Sequence, residues 1–232
     1  MLAVCGLTKE AGIAAGPGIL AIAGGGSRAA LEGRLAAVDP AQVAAVVSFG
    51  IAGALDPSLR VGDVVLATAV VGEADTFPCA ALVRESWVQR LRSNGVATVE
   101  TRIAGSDVPL LNVADKAALH SRTGAAAVDM ESHVAASYAA SHDLPFGAIR
   151  IISDDARHSL PAAAAVAMRP DGSVDVIAVL RSLMRQPAQI PALVATARDA
   201  GVAFRQLRRV RGLLGESGSL LGFRGGLLGL NV

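Results

Sequence analysis

Three carboxylates stand at the ends of apolar runs, in a sequence sparing with charge. In AAAVDMESHV, residues 125–134, an apolar run stops at Asp129, and Glu131 follows two positions later. In RIISDD, residues 150–155, Asp154 closes a run of apolar β-formers. A carboxylate at such a strand end is partly removed from water, which disfavours its charged form and suits it to hold a proton. Asp129 has a simpler role open to it, since an acidic residue at a helix start caps the helix and complements its dipole. Positions 129 and 131 point to different faces, so Glu131 can reach a pocket while Asp129 caps.

Two glycine-bearing turns accompany the carboxylates. Gly24-Gly25-Gly26-Ser27-Arg28 follows a β-like run and precedes a helical one. Backbone amides of such a turn can face inward, and a helix N-terminus adds positive partial charge, so an anion or a polar sugar could be held there. The spacing fits neither the dinucleotide fingerprint nor the P-loop, and a tight turn needing small residues explains it equally well. The second turn lies in FGIAGAL, residues 49–55, at the carboxyl end of an apolar strand. Ligands of open α/β sheets bind at that end, and residues without bulk let the backbone approach them.

The elements that must hold these residues alternate as in an α/β fold with a mixed or parallel sheet. The pattern predicts strands at Leu2–Gly6, Leu20–Ala23, Ala45–Phe49, Val61–Val71 and Phe146–Ser153. It predicts helices at Ala29–Val38, Arg84–Ser93, Val113–Arg122, Met130–His142, Val174–Met184 and Ala192–Leu214. One domain over 1–190 is expected, followed by a helical extension over 191–232 that is part of it or appended. In that tail Leu-Leu-Gly recurs at 213–215, 220–222 and 227–229, a spacing that could place the leucine pairs on one helix face. Docking on the protein's own body or a sister subunit is one reading of it. Peripheral contact with anionic lipid, helped by Arg208, Arg209 and Arg211, is the other.

Composition removes several function classes. Twenty-one basic and 20 acidic residues give no global pull toward nucleic acid, and 3% aromatics offer no base-stacking platform. Hydrophobic residues make up 52%, much of it alanine, so a core of close-packed small side chains is expected. Cys5 and Cys79 cannot form a disulfide framework, which fits a reduced, cytoplasmic setting. No apolar run reaches the ~20 residues that a membrane-spanning helix needs. His120, His133, His142 and His158 show no metal-ligand spacing and read as surface or supporting residues, so no metal is expected.

Four segments together carry a resemblance: GGGSRAA at 24–30, SFGIAGALDPSLRVGDVV at 48–65, VDMES at 128–132 and PFGAIRIISD at 145–154. In this order and separation they resemble the nucleoside phosphorylase and nucleosidase superfamily, typified by bacterial purine nucleoside phosphorylases and methylthioadenosine/S-adenosylhomocysteine nucleosidase. The segment at 181–209 is similar to the hopanoid-associated phosphorylase branch, implicated in removing adenine from adenosylhopane. The resemblance implies a nucleoside phosphorylase-like α/β fold, a mixed central sheet flanked by helices, with a helical C-terminal extension. It also implies an enzyme that cleaves the N-glycosidic bond of an adenine nucleoside, here a lipid-linked one, and a homo-oligomer. Glu131 then binds ribose hydroxyls with Met130 against the sugar. Asp154, after Ser153, protonates or hydrogen-bonds the leaving purine at N7, with Gly53 and Leu110 beside the base. Glu10 falls at or beside the glutamate that activates water in the nucleosidases. Gly25, Gly26 and Arg28 fall in the loop lining the phosphate or nucleophile side.

Three departures bear on the reaction. Ser48 stands where the phosphorylases carry a phosphate-contacting arginine, and Ile51 where many relatives have a serine. Pro109 beside Leu110 replaces the aromatic ring that nucleosidases stack on adenine. The first two favour hydrolysis over phosphorolysis, leaving inorganic phosphate a candidate co-substrate and no cofactor expected. An apolar channel near the ribose 5′ position is expected, with peripheral attachment at the inner membrane face as a further option. The rival readings are a methylthioadenosine/S-adenosylhomocysteine-type nucleosidase of soluble metabolism and, more remotely, a nucleoside-binding protein without catalysis.

Overall fold

The computed structural model describes residues 1–165, 172–173 and 175–215 of the chain. In chain order they form β1 (Leu2–Cys5), α1 (Thr8–Ala14), β2 (Leu20–Ala23), α2 (Arg28–Ala36), β3 (Val46–Ala54), β4 (Val64–Val71) and β5 (Thr76–Pro78). Then follow α3 (Ala81–Ser93), β6 (Thr98–Gly105), α4 (Val113–Thr123), β7 (Ala127–Asp129), α5 (Ser132–Ser141) and β8 (Phe146–Asp154). A short α6 (Ala162–Ala165), α7 (Val176–Arg185) and the long α8 (Ile190–Gly215) complete the fold.

The strands make one mixed sheet in the order β2-β1-β3-β7-β6-β4-β5, and β8 bridges β3 and β4. β8 runs parallel to β3 and antiparallel to β4, so β3, β7, β6, β4 and β8 close on themselves as a ring. Strands paired on both sides must be apolar on both faces, which explains the near-continuous burial of VVSFGIAGA in β3 and FGAIRIISD in β8. The β3–β8 pairing runs in step from Val46 opposite Phe146 to Ile152 opposite Ala52, then skips one residue so that Asp154 stands opposite Gly53.

Helices cover both faces. Val83, Trp87 and Leu91 of α3 and Phe204, Leu207 and Val210 of α8 pack on one side of β3, β4 and β8. Leu31 and Leu35 of α2 and the alanines of α5 pack on the other, against β1, β3 and β4. α8 therefore belongs to the core of the sheet rather than hanging from it. The Leu-Leu-Gly at 213–215 ends α8, while its repeats at 220–222 and 227–229 lie outside the described residues. No described helix is long and apolar enough to cross a membrane.

Several elements depart from the sequence expectation. β3 runs to Ala54, not Phe49, because its pairing with β7 and β8 holds the small residues of the FGIAGAL turn extended. The helix expected from Met130 starts at Ser132, because Met130 and Glu131 link β7 to it. The pattern omitted α1, whose seven residues include Gly12, and β5, which has three residues. It also omitted β6, whose outer half is exposed and carries Glu100 and Thr101.

Candidate active site

The ends of β1, β3, β7 and β8 converge on a cleft of about 190 Å³. Glu10, on the first turns of α1, reaches into it and is buried. Its Oε2 accepts the backbone N–H groups of Gly6 and Leu7, both at 2.8 Å, and its Oε1 accepts that of Ile51 at 2.7 Å. Burial raises the pKa of Glu10, against the opposing pull of Arg150 and these three amides. Gly50 makes this approach possible: a Cβ there would collide with both Glu10 Oε1 and the Arg150 guanidinium.

Arg150 in β8 is fully buried and organises the acidic end of the cleft. Its Nε donates to Asp129 Oδ2 at 2.6 Å, and its Nη2 donates to Ser48 Oγ at 2.6 Å and Ser132 Oγ at 3.2 Å. Glu131 Oε2 lies 3.9 Å from Nη2. Burial works against the Arg150 charge, but Asp129, Glu131 and Glu10 outweigh it and raise its pKa. Asp129 also accepts the N–H groups of Glu131 at 3.0 Å and Ser132 at 2.7 Å, holding the start of α5. It therefore has the helix-end role expected of it, together with an ion pair that the sequence reading did not assign. Glu131 is buried beside Gly6 and Gly24, and burial pushes its carboxyl up to about 8, with Arg150 opposing and Asp129 and Glu10 adding to the shift.

The opposite end of the cleft is built differently. Asp154 at the end of β8 is only partly buried, and Gly53 lies under its carboxylate. Ser153 Oγ lies 3.1 Å from Asp154 Oδ2 and 3.2 Å from the Ala52 carbonyl oxygen, two acceptors for its single proton. Lys116 on α4 donates to Asp154 Oδ1 at 2.6 Å. The wall between the two ends is mostly aliphatic, with Leu7, Ile51, Val108, Pro109, Leu110 and Met130 facing the space.

Glu10, Gly53, Leu110, Met130, Glu131, Ser153 and Asp154 all line this one cleft. Gly25, Gly26 and Arg28 do not line it. Gly24 and Gly25 donate their N–H groups to the carbonyls of Cys5 and Gly6, so the turn is tied to the end of β1 rather than opened toward a ligand. Gly25 and Gly26 take the left-handed backbone this turn requires, at φ 71° and 67°. Arg28, exposed at the start of α2, pairs with Glu32 at 2.8 Å and Asp107 at 3.4 Å. Two residues of the cleft region went unassigned from sequence, Lys116 and Arg150. Lys116 carries a faint signal: it lies three positions from both Val113 and Leu119, on the apolar side of its helix.

The family model described as the Phosphorylase superfamily matches residues 13–185, well over half of the 232 residues. The chain belongs to that superfamily. Membership makes it an N-glycosyl bond-cleaving enzyme. Among solved structures, the phosphorylase-superfamily fold found here is similar to that of a point mutant of the Helicobacter pylori methylthioadenosine nucleosidase with 5′-methylthioadenosine in its active site. The TM-score is 0.64 at 16% identity, covering 90% of this chain and 96% of that one. A futalosine hydrolase mutant from Helicobacter pylori strain 26695 gives a TM-score of 0.63 at 15% identity, over 90% and 96% of the two chains. The 5′-methylthioadenosine/S-adenosylhomocysteine nucleosidase of S. pneumoniae, with a transition-state inhibitor, gives 0.60 at 18% identity, over 89% and 97%. At these identities the likeness establishes the shared fold. Sequence comparison with curated proteins finds no match.

Proposed function

We propose that the enzyme hydrolyses the N-glycosyl bond of an adenine nucleoside whose 5′ group is apolar. Glu131 and Met130 hold the ribose, Glu10 takes the proton of the attacking water, and Asp154 delivers a proton to N7 of the leaving base. Breaking the bond builds positive charge on the ribose and negative charge on the purine. A carboxylate beside the sugar and an acid at the base each meet the charge that develops nearest to it. General acid catalysis of this kind contributes ~10²–10⁴-fold.

The observation that carries hydrolysis over phosphorolysis is the charge at the ribose end. Glu10, Glu131 and Asp129 surround Arg150, whose Nε and Nη2 are engaged by Asp129, Ser48 and Ser132. A phosphate dianion entering there would meet three acidic side chains, and the one nearby guanidinium is buried with its Nε and Nη2 engaged and only Nη1 without a hydrogen-bond partner. Ser48 is fully buried and turned to Arg150, so it supplies no contact for an anion in the cleft. Water carries no such penalty.

Aliphatic walls at Leu7, Ile51 and Val108 favour an apolar 5′ substituent, worth ~25 cal/mol per Å² of surface buried. With the resemblance of residues 181–209 this supports adenosylhopane as substrate and ribosylhopane as product. The Leu-Leu-Gly tail would then bring the enzyme to the membrane where that lipid resides. A 5′-methylthioadenosine-type nucleosidase is the second reading, favoured by the fold shared with the nucleosidases. Adenine release from adenosine, 5′-methylthioadenosine and adenosylhopane, with and without inorganic phosphate, tests both. Phosphate-independent release of free sugar, fastest from adenosylhopane, is the expected result. A strict phosphate requirement with a ribose 1-phosphate product would sink hydrolysis, and equal rates on all three nucleosides would sink the lipid-linked substrate.

A further inference from the structure

The lysine at the base end of the cleft takes no part in the steps proposed for the other side chains. Lys116 is 1% exposed, and burying an ammonium is costly unless it is paired and hydrogen-bonded. Its Nζ donates to Asp154 Oδ1 at 2.6 Å, to the Asp155 carbonyl at 2.7 Å and to the His158 carbonyl at 3.3 Å. Those three bonds use all the donors an ammonium has, leaving none for a substrate. Its ion-pair partner is Asp154, because the Asp155 side chain turns away to His158. Lys116 therefore ties α4 to the chain that leaves β8 and fixes one oxygen of the Asp154 carboxylate. Ser153 Oγ fixes the other at 3.1 Å, so the carboxylate is held at both oxygens.

We propose that Lys116 is a positioning residue that aims the Asp154 carboxyl group at the leaving base. The inference rests on the reading of Asp154 as the acid at N7. In that step the C1′–N9 bond breaks and its electron pair passes into the purine ring. Asp154, which takes up a proton from solvent once the nucleoside is bound, passes it to N7, and Lys116 keeps its own proton throughout. The carboxylate left on Asp154 then returns to the 2.6 Å pair with the ammonium that the free protein already holds, so the aim of Asp154 is kept from one turnover to the next. Ground-state binding of the nucleoside gains nothing from this contact, so the loss on removing it should fall on kcat.

The test is steady-state kinetics of full-length Lys116→Met and Lys116→Arg on whichever of the three nucleosides the wild type turns over fastest. Lys116→Met should lower kcat by about 10²-fold and leave KM within about threefold, as expected of an interaction made in the transition state. Lys116→Arg, which keeps the charge, should recover part of that loss. Lys116→Gln, which keeps donors for the two carbonyls without the charge, replaces the methionine variant if that one does not fold. A kcat within threefold of wild type would overturn the inference. So would a KM that rises in step with the loss of kcat, the mark of a distorted cleft, or an arginine variant no better than methionine. A wild type inert on all three nucleosides would instead overturn the functional reading on which the inference rests.

Discussion

The two ends of the cleft solve opposite electrostatic problems. At the end proposed for the ribose three carboxylates, Asp129, Glu131 and Glu10, share a single guanidinium, and all four groups are buried. At the end proposed for the base one carboxylate faces one ammonium, and the carboxylate stays open to the cleft. An excess of acid in a dry place cannot all be ionised, so Glu131 is held up at about 8 and Glu10 is raised as well. A matched pair carries no such excess. Carboxylates on one sheet thus acquire different tasks from their surroundings alone.

The contrast can be broken at its strongest points first. Glu10→Gln keeps the size of the side chain but cannot accept the proton of the attacking water. Its kcat should fall by ~10³-fold in the adenine-release assay, and a change under tenfold would remove Glu10 from the chemistry. Arg150→Met strips the ribose end of its paired cation and leaves Asp129 buried without that partner. Urea unfolding should show a loss of about 3–5 kcal/mol. The corresponding neutralisation of the Glu131 carboxyl should act in the other direction and depend on pH. In the folded protein its pKa stands at about 8, above the value in the unfolded chain, so the folded state binds that proton more tightly. This contribution is fully present below the unfolded value of about 4.3 and is lost as pH rises toward 8. The melting temperature of Glu131→Gln relative to wild type should therefore be higher at pH 8 than at pH 5, by roughly 5 °C. A difference independent of pH would mean that Glu131 is ionised throughout. Smallest of all, Arg28→Ala removes a half-exposed pair outside the cleft, and kcat/KM should stay within about twofold.

Much of the cleft could be read from residues that are local in sequence. Asp154 closes an apolar strand, Glu131 opens a helix, and Gly53 lies at a strand end, each a signal carried within about ten residues. What escaped was decided at a distance. Lys116 in VADKAALH resembles a solvated charge on an alanine-rich helix, and only Asp154, 38 positions later, explains its burial. Arg150 lay in plain view within RIISDD, yet its partners come from β3, β7 and α5. Strand β6 shows the same limit: Val99 is exposed and Glu100 and Arg102 follow it, so the alternation that marks a half-buried strand is lost until β4 and β7 pair with it. Arg28 shows the opposite case: the turn suggests a ligand, while the residues its guanidinium meets, Glu32 and Asp107, are visible only in the fold.

The skipped residue between β3 and β8 has a consequence for anyone who would re-engineer this enzyme. Side chains along a strand alternate between faces, and a bulge adds one count to one partner only. Ser153 is that extra count, and it brings Asp154 opposite Gly53. The acid is thus located by arithmetic as much as by contact. Between Phe146 and Asp154 a change of side chain alters the packing, but a change of length by one residue would turn the acid to the wrong face. Libraries directed at this strand should vary its apolar letters, keep Arg150, Ser153 and Asp154, and preserve its length.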